Sequence, residues 1–255
     1  MKIGVCSPID RVDHLENLGY DQLELSIGAI SEMNEEELSA LKQRIDGRKI
    51  RVTSANCMFG GRLPQLYQDE GLEKVSEYLA MVMPKLKYLG ITTAVFGSGW
   101  HRRMPDDMPY EKRHQIIRDV LVIMEGEARK NGITVVIEPL YKKETNMLLT
   151  TEEAMTYIKE LELPNLKLLV DLYHFYCEGE PLERVREYGP YIKHVHIVEP
   201  SQRDFMRQGD AYDYKAFVKA LRDIGYDGAL MFEGGKGDYD TGIAETYPVL
   251  RALCE

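Results

Sequence analysis

The sequence predicts a single α/β domain with a (β/α)₈ (TIM) barrel over residues 1–255, and three observations support this fold class. Short β-branched runs alternate with longer amphipathic runs eight times, and 255 residues is a usual length for such a barrel. No linker rich in Gly, Ser or Pro divides the chain. Polar residues follow many of the strand-like runs, and no GxGxxG opens a first βα turn, which disfavours the rival open doubly wound sheet.

The predicted strands are short apolar runs bounded by polar or turn residues. In order they are KIGVC (2–6), QLELSI (22–27), IRVTSAN (50–56), TTAVFG (92–97), TVVIE (134–138), KLLVD (167–171), IKHVHIV (192–198) and ALMFEG (229–234). The runs between them predict helices at 10–18, 35–46, 70–89, 110–130, 151–161, 181–188, 213–224 and 240–252.

Local residues predict where several helices begin, end or bend. Asn34, Thr150 and Asp213 stand where N-terminal caps are expected. Glycines that follow four of the helical runs predict left-handed C-terminal ends, at Gly19, Gly90, Gly132 and Gly225. Pro84 lies inside the 70–89 run and is expected to kink that helix or split it in two.

Composition and charge exclude several classes of protein. A net charge of −10 and a pI near 5.2 oppose binding to nucleic acid or to anionic membranes. The four cysteines form no CxxC pair, which fits a reducing cytoplasm. The N-terminal residues lack the apolar core of a signal peptide, and no apolar run reaches the roughly 20 residues that span a bilayer. We therefore expect a soluble cytoplasmic protein.

Titratable residues stand at the ends of four successive predicted strands. Strand five ends in Glu138, strand six in Asp171 and strand eight in Glu233, and strand seven carries His194 and His196. Because the strand ends of a barrel surround one axis, these side chains can converge. The two histidines share one strand face, and His196 lies nearer the C-terminal end, so we assign His196 to the site and His194 to the layer below.

A set of two Glu, one Asp and one His is rich in oxygen and suits a divalent cation. Mn²⁺ is the first choice, with Mg²⁺, Co²⁺ and Zn²⁺ as alternatives. One acidic residue after a strand is ordinary, but three carboxylates brought together require either a cation or shared protons. His174, three residues after Asp171, is placed to donate a hydrogen bond to a substrate oxygen.

The motifs IEP, LVDLYH, HVHIVE and MFEGG resemble those of the xylose-isomerase-like barrel superfamily, especially its ketose 3-epimerase and hydroxypyruvate-isomerase branch. The resemblance implies that one divalent ion is bound by Glu138, Asp171, His196 and Glu233. It also implies substrate-binding roles for Glu144, which stands six residues after Glu138 in ETNMLLTTEEA.

Three further substrate contacts follow from the resemblance. His174 matches a substrate-contacting histidine, and Trp100, in VFGSGWHRRMPDD, matches a loop that could form an apolar wall of a sugar site. Arg203 stands seven residues after His196, whereas the family places its substrate arginine six residues after the metal histidine, so Pro200 resembles an insertion.

The resemblance implies a sugar isomerase or epimerase in which Glu138 and Glu233 transfer protons through an enediolate. Epimerisation and aldose–ketose isomerisation share that intermediate, so the residues do not separate them. A metal-dependent lyase or dehydratase acting on a cyclitol or glycoside stays the main alternative. A sugar-binding protein without activity is weaker, as is an abasic-site endonuclease, whose extra histidines are missing. The expected partner is a small sugar, and a homo-oligomer is compatible with the sequence.

Overall fold

A computed structural model, which describes residues 1–60 and 63–255, contains a closed barrel of eight parallel strands in chain order. Each strand pairs with its neighbour in sequence, and the first pairs with the last. The predicted TIM barrel is therefore confirmed. The strands are β1 (Lys2–Cys6), β2 (Gln22–Ser26), β3 (Arg51–Asn56), β4 (Thr93–Phe96), β5 (Thr134–Ile137), β6 (Leu166–Asp171), β7 (Ile192–Ile197) and β8 (Ala229–Phe232).

Every predicted helical run contains a helix, and three short helices were not predicted. These three directly follow strands or the turns after them, and they are too short to show a helical period in the sequence. The helices are α1 (Val12–Leu18), α2 (Ile27–Glu32), α3 (Glu35–Ile45), α4 (Gly71–Leu89), α5 (Gly99–Arg102), α6 (Tyr110–Lys130), α7 (Thr151–Leu161), α8 (Leu172–Cys177), α9 (Glu183–Glu187), α10 (Tyr214–Asp223) and α11 (Tyr239–Cys254). The unpredicted ones are α2, α5 and α8.

Helix α4 passes through Pro84 without interruption. Of the two predicted effects of Pro84, a kink or a split, the split is therefore wrong. Proline removes the hydrogen bond to the carbonyl of Ala80, but Ala80 and Pro84 both lie on the exposed face, where water can satisfy that carbonyl. The opposite face buries Leu79, Val82 and Met83, and this packing holds the helix together.

Side chains inside the barrel form layers, and these layers show where the residues at the strand ends lie. Val95, Val136 and Leu169 form a small buried cluster separate from the main core, which lies between the strands and the helices. Side chains two residues further along face the same way, so Glu138 and Asp171 lie one layer above this cluster, at the C-terminal mouth. In the described residues, no helix combines the length and the hydropathy needed to cross a membrane.

The predicted caps form at three helices. Asn34 and Glu37 form a capping box at α3, in which each side chain accepts a hydrogen bond from the other residue's N–H at 2.9 Å. The side chains of Thr150 and Asp213 also accept hydrogen bonds from backbone N–H groups, in the first turns of α7 and α10. The four glycines predicted to end helices all have positive φ.

Replacing Asn34 with Ala is expected to lower the free energy of unfolding by about 1 kcal/mol, because the Glu37 N–H loses its acceptor. Urea denaturation measures this difference. Gln43→Ala is the matched control, since Gln43 is exposed on the same helix. Equal stability of the Asn34 variant and the parent would contradict the assignment of the cap.

Candidate metal and substrate site

The four predicted metal ligands come together at the C-terminal mouth of the barrel. Candidate ligand atoms of Glu138, Asp171, His196 and Glu233 all lie within 4.8 Å of one another. His196 Nδ1 is at their centre, 3.2 Å from Glu138 Oε1, 3.4 Å from Glu233 Oε2 and 3.7 Å from Asp171 Oδ2. Three of the four residues are buried and Glu233 is partly exposed.

One oxygen of this cluster indicates that the set fits a cation. Asp171 Oδ1 accepts hydrogen bonds from the N–H groups of Tyr173 and His174 and so caps α8. Asp171 Oδ2 is buried and has no hydrogen-bond partner in the described part of the chain. A buried carboxylate oxygen without a partner is costly, and a hard divalent ion among three carboxylates and an imidazole would satisfy it.

Glu24 on β2 fixes the orientation of His196 and was not predicted from the sequence. Its Oε1 lies 2.9 Å from His196 Nε2 and its Oε2 lies 2.6 Å from His194 Nε2. Because a carboxylate only accepts, His196 Nε2 carries the proton and Nδ1 is the nitrogen that faces the other three carboxylates. The sequence feature that could have identified Glu24 is an acidic residue on the inward face of an apolar strand.

A second group of metal-ligating residues, Cys6 with Glu24 and His196, shares the imidazole with the first group. Burial would raise the pKa of Glu24, but the two neighbouring imidazoles lower it well below its ordinary range, so Glu24 is ionised and already paired. Burial and the charge of Glu24 raise the pKa of the Cys6 thiol well above its ordinary value. The thiol is therefore protonated, which makes the four-residue cluster the better cation site.

Electrostatics distinguish the two glutamates of the cluster. Burial raises the pKa of Glu138. Burial acts on Glu233 in the same direction, but the charge and hydrogen bond of His196 and the charge of Arg203 together lower the pKa of Glu233. Burial would lower the pKa of His196, but Glu233 and Glu24 together raise it well above its ordinary value. The cluster is therefore an anionic site whose charge His196 only partly neutralises, and a cation bound at Nδ1 would replace a proton there.

A cavity of about 290 Å³ opens above the cluster. It reaches all four residues predicted to bind substrate, and its lining includes Trp100, Glu138, Glu144, His174, Arg203 and Glu233. Trp100 is 57% exposed and packs edge-on against His101 at the rim, with ring centroids 4.9 Å apart. Its exposure leaves an apolar face available at the rim of the cavity.

Arg203 reaches the site despite the inserted Pro200. Its Nη1 lies 3.2 Å from Glu144 Oε1 and its Nη2 lies 3.0 Å from Glu233 Oε2. Its guanidinium also lies over the Tyr173 ring, 4.8 Å from the centroid. The backbone of Arg203 is left-handed, with φ of 54°, an uncommon conformation for a side chain of this size. This turn directs the guanidinium over the cluster.

His174 presents a hydrogen-bond donor to the same cavity. Its Nδ1 accepts a hydrogen bond of 3.2 Å from the Tyr141 N–H, so Nε2 carries the proton. His174 Nε2 is buried and has no partner among the residues that the structure describes. It lies 3.9 Å from Asp171 Oδ2, beside the cluster. A substrate oxygen bound there would receive this hydrogen bond.

Asn56 at the end of β3 also supports the cluster and was missed. Its Nδ2 donates a hydrogen bond of 2.8 Å to Glu233 Oε1, which leaves Oε2 of that carboxylate toward His196 and Arg203. Nothing in SANCMFGG distinguishes this asparagine from an ordinary loop residue, because its partner is 177 residues away in the chain.

Arg102 is a second residue that the sequence did not reveal. It is fully buried and donates hydrogen bonds to the carbonyls of Phe96, Glu138 and Leu148, at 3.3, 2.9 and 3.4 Å. These bonds connect the ends of β4 and β5 to the loop that carries Glu144. The sequence offers two adjacent arginines in GWHRRM, and no local feature shows which one is buried.

Comparisons with known proteins identify a family and relatives that this chain resembles. The family described as xylose isomerase-like TIM barrel matches residues 12–253. A 3-dehydro-D-guloside 4-epimerase of Escherichia coli is 25% identical over 89% of this chain and 86% of its own length. A ketose 3-epimerase of Arthrobacter globiformis is 38% identical, but over 40% of this chain and only 35% of its own length. The crystal structure of an E. coli 3-keto-D-glucoside 4-epimerase has a TM-score of 0.82 at 22% identity, covering 100% of this chain and 99% of that one.

Gly97 provides a sharp test of the geometry, because a Cβ at this position would lie 2.1 Å from Glu138 Oε2. Gly97→Ala is expected to displace that carboxylate and weaken Mn²⁺ binding by about 10- to 100-fold, as measured by isothermal titration calorimetry. Gly126→Ala is the control, since a Cβ there meets nothing within 4 Å. Unchanged Mn²⁺ affinity in a folded Gly97 variant would show that Glu138 is not a ligand.

Proposed function

Because the chain belongs to the xylose isomerase-like TIM barrel family, we propose that it is a divalent-metal-dependent sugar epimerase or aldose–ketose isomerase. The observation that supports this function best is the convergence of two glutamates, an aspartate and a histidine beneath a polar cavity. The relatives named as epimerases support the same class of reaction. Four free cysteines agree with a cytoplasmic enzyme.

Glu138, Asp171, His196 and Glu233 would hold the ion, with His196 contributing Nδ1. The oxygen-rich set favours Mn²⁺ over a structural zinc, which prefers thiolates or several imidazoles. The bound ion would polarise a carbonyl oxygen of the sugar and so make the proton on the neighbouring carbon easier to remove. Glu24 and Asn56 keep His196 and Glu233 in place while this happens.

Two glutamates on different strands can serve the two faces of a sugar. Glu138 ends β5 and Glu233 ends β8, and both line the cavity. One carboxylate removes the proton from carbon and the other delivers a proton to the opposite face, which inverts that carbon. Delivery to the adjacent carbon of the enediolate, together with transfer of the hydroxyl proton from one enediolate oxygen to the other, would move the carbonyl instead, so the same two glutamates can serve both outcomes.

Hydrogen bonds from the cavity wall stabilise the charge that develops on the sugar. His174 donates from Nε2, which is buried beside the cluster without another acceptor in the described residues. Arg203 lies against Glu144 and Glu233 and adds a positive charge at the same place. Such donors are most effective in a site shielded from water, where they need no reorganisation during the reaction.

Glu138→Gln and Glu233→Gln are each expected to remain folded and to lose exchange of the substrate α-proton with deuterated water. Proton NMR measures this exchange on a panel of ketoses and aldoses with Mn²⁺-loaded protein. Glu183→Gln, an exposed glutamate of α9, is the control and should exchange like the parent. Parental exchange in both site variants would exclude the mechanism, and a keto product formed with loss of water would indicate a dehydratase.

A further inference from the structure

A second cavity adjoins the carboxylate cavity on the side of β1 and β2. It has a volume of about 350 Å³, within the range of roughly 300–1,000 Å³ that is usual for small-molecule pockets. Glu233 lines both cavities, so the two meet at one of the proposed proton carriers. Most of the wall of this second cavity is apolar. It comes from the loop after β1, from β2, from α2 and its C-terminal end, and from α3: Ile9, Leu25, Ala29, Ile30, Met33 and Leu41.

The wall of this second cavity is held in place by core packing and by hydrogen bonds. Leu25, Ile30 and Leu41 are buried in the main core. At the other end of α2, Lys85 Nζ donates hydrogen bonds to the carbonyls of Ser31 and Met33, at 2.9 and 2.7 Å. The pocket is therefore preformed, and a ligand does not need to order it.

The two cavities differ in the chemistry that they can recognise. The first contains Glu144, His174 and Arg203, which suit the hydroxyl groups of a sugar. Among the described residues that line the second cavity, none is Lys, Arg or His. Its two carboxylates belong to Glu24, already bonded to two imidazoles, and to Glu233 at the border. A phosphate or a carboxylate would find no positive partner there, whereas a neutral apolar group would fit.

Building on the proposed function, we propose that the substrate is a neutral keto sugar with an apolar substituent, such as an alkyl or aryl glycoside. Its sugar part occupies the carboxylate cavity and its substituent occupies the apolar cavity beside β1 and β2. A free ketose would leave the walls formed by Ile30 and Met33 uncovered. Burial of the substituent would add affinity roughly in proportion to the apolar area removed from water.

The test compares two 3-keto-β-D-glucosides that differ only in the aglycone, methyl or phenyl, by isothermal titration calorimetry on Mn²⁺-loaded protein. The phenyl compound is expected to bind at least about tenfold more tightly than the methyl compound. Ala29→Phe fills the cavity at its exposed rim and should bring this affinity ratio close to one. Ala80→Phe, on the exposed face of α4, is the matched control and should keep the ratio.

Equal affinity for the two glucosides, or a phenyl preference that survives Ala29→Phe, would overturn the inference. Failure of both compounds to bind, in a protein that exchanges the α-proton of free ketoses, would overturn it as well and leave the proposed reaction intact. A phenyl preference in a protein that exchanges no α-proton would support the apolar cavity and contradict the proposed reaction.

Discussion

Repulsion among three carboxylates, two of them buried and one partly exposed, is the constraint on which the mouth of this barrel depends. Glu138, Asp171 and Glu233 approach one imidazole nitrogen to within 3.2–3.7 Å. Holding such charges together without compensation costs several kcal/mol, so the surrounding residues must offset it. Glu24 supports the proton on His196, and Arg203 bridges Glu144 and Glu233. A divalent ion, as proposed for this cluster, would complete this compensation.

The register between neighbouring strands of the barrel brings the site residues into one layer. Asp171 and His196 are direct partners across β6 and β7, so their side chains enter the same layer. Glu138 has room for its carboxylate because Gly97, at the end of the neighbouring strand, has no side chain. Arg102 donates a hydrogen bond to the backbone carbonyl of Glu138. The proposed proton transfer would require this precision, because a carboxylate would have to face one carbon of a bound sugar.

The sequence predicted what depends on local pattern and missed what depends on contacts across the barrel. The eight strands and the long helices follow from apolar periodicity, and Glu138, Asp171, His196 and Glu233 stand at the strand ends where that pattern stops. Helices α2, α5 and α8 are six, four and six residues long, which is too short to show a helical period in the sequence. Glu24, Asn56 and Arg102 gain their roles from partners 36 to 177 residues away, and a single sequence carries no record of such pairs.

The loop after β7 contains one residue, Arg203, whose position could not be predicted from the sequence. The spacing from His196 to Arg203 left the position of this arginine open, because one inserted residue can either displace a side chain or be absorbed by a turn. The structure places a left-handed turn at Arg203 itself, which returns the guanidinium to Glu233. The apolar cavity beside β1 and β2 could not be predicted from the sequence either, since its wall combines residues from a strand, a loop and two helices.

Anomalous diffraction from crystals grown with MnCl₂ tests the central claim most directly, because His196 is shared by two possible ligand groups. The account predicts a single manganese peak on the Nδ1 side of His196, surrounded by Glu138, Asp171 and Glu233. A peak on the Nε2 side, between Cys6 and Glu24, or no peak near His196, would contradict it.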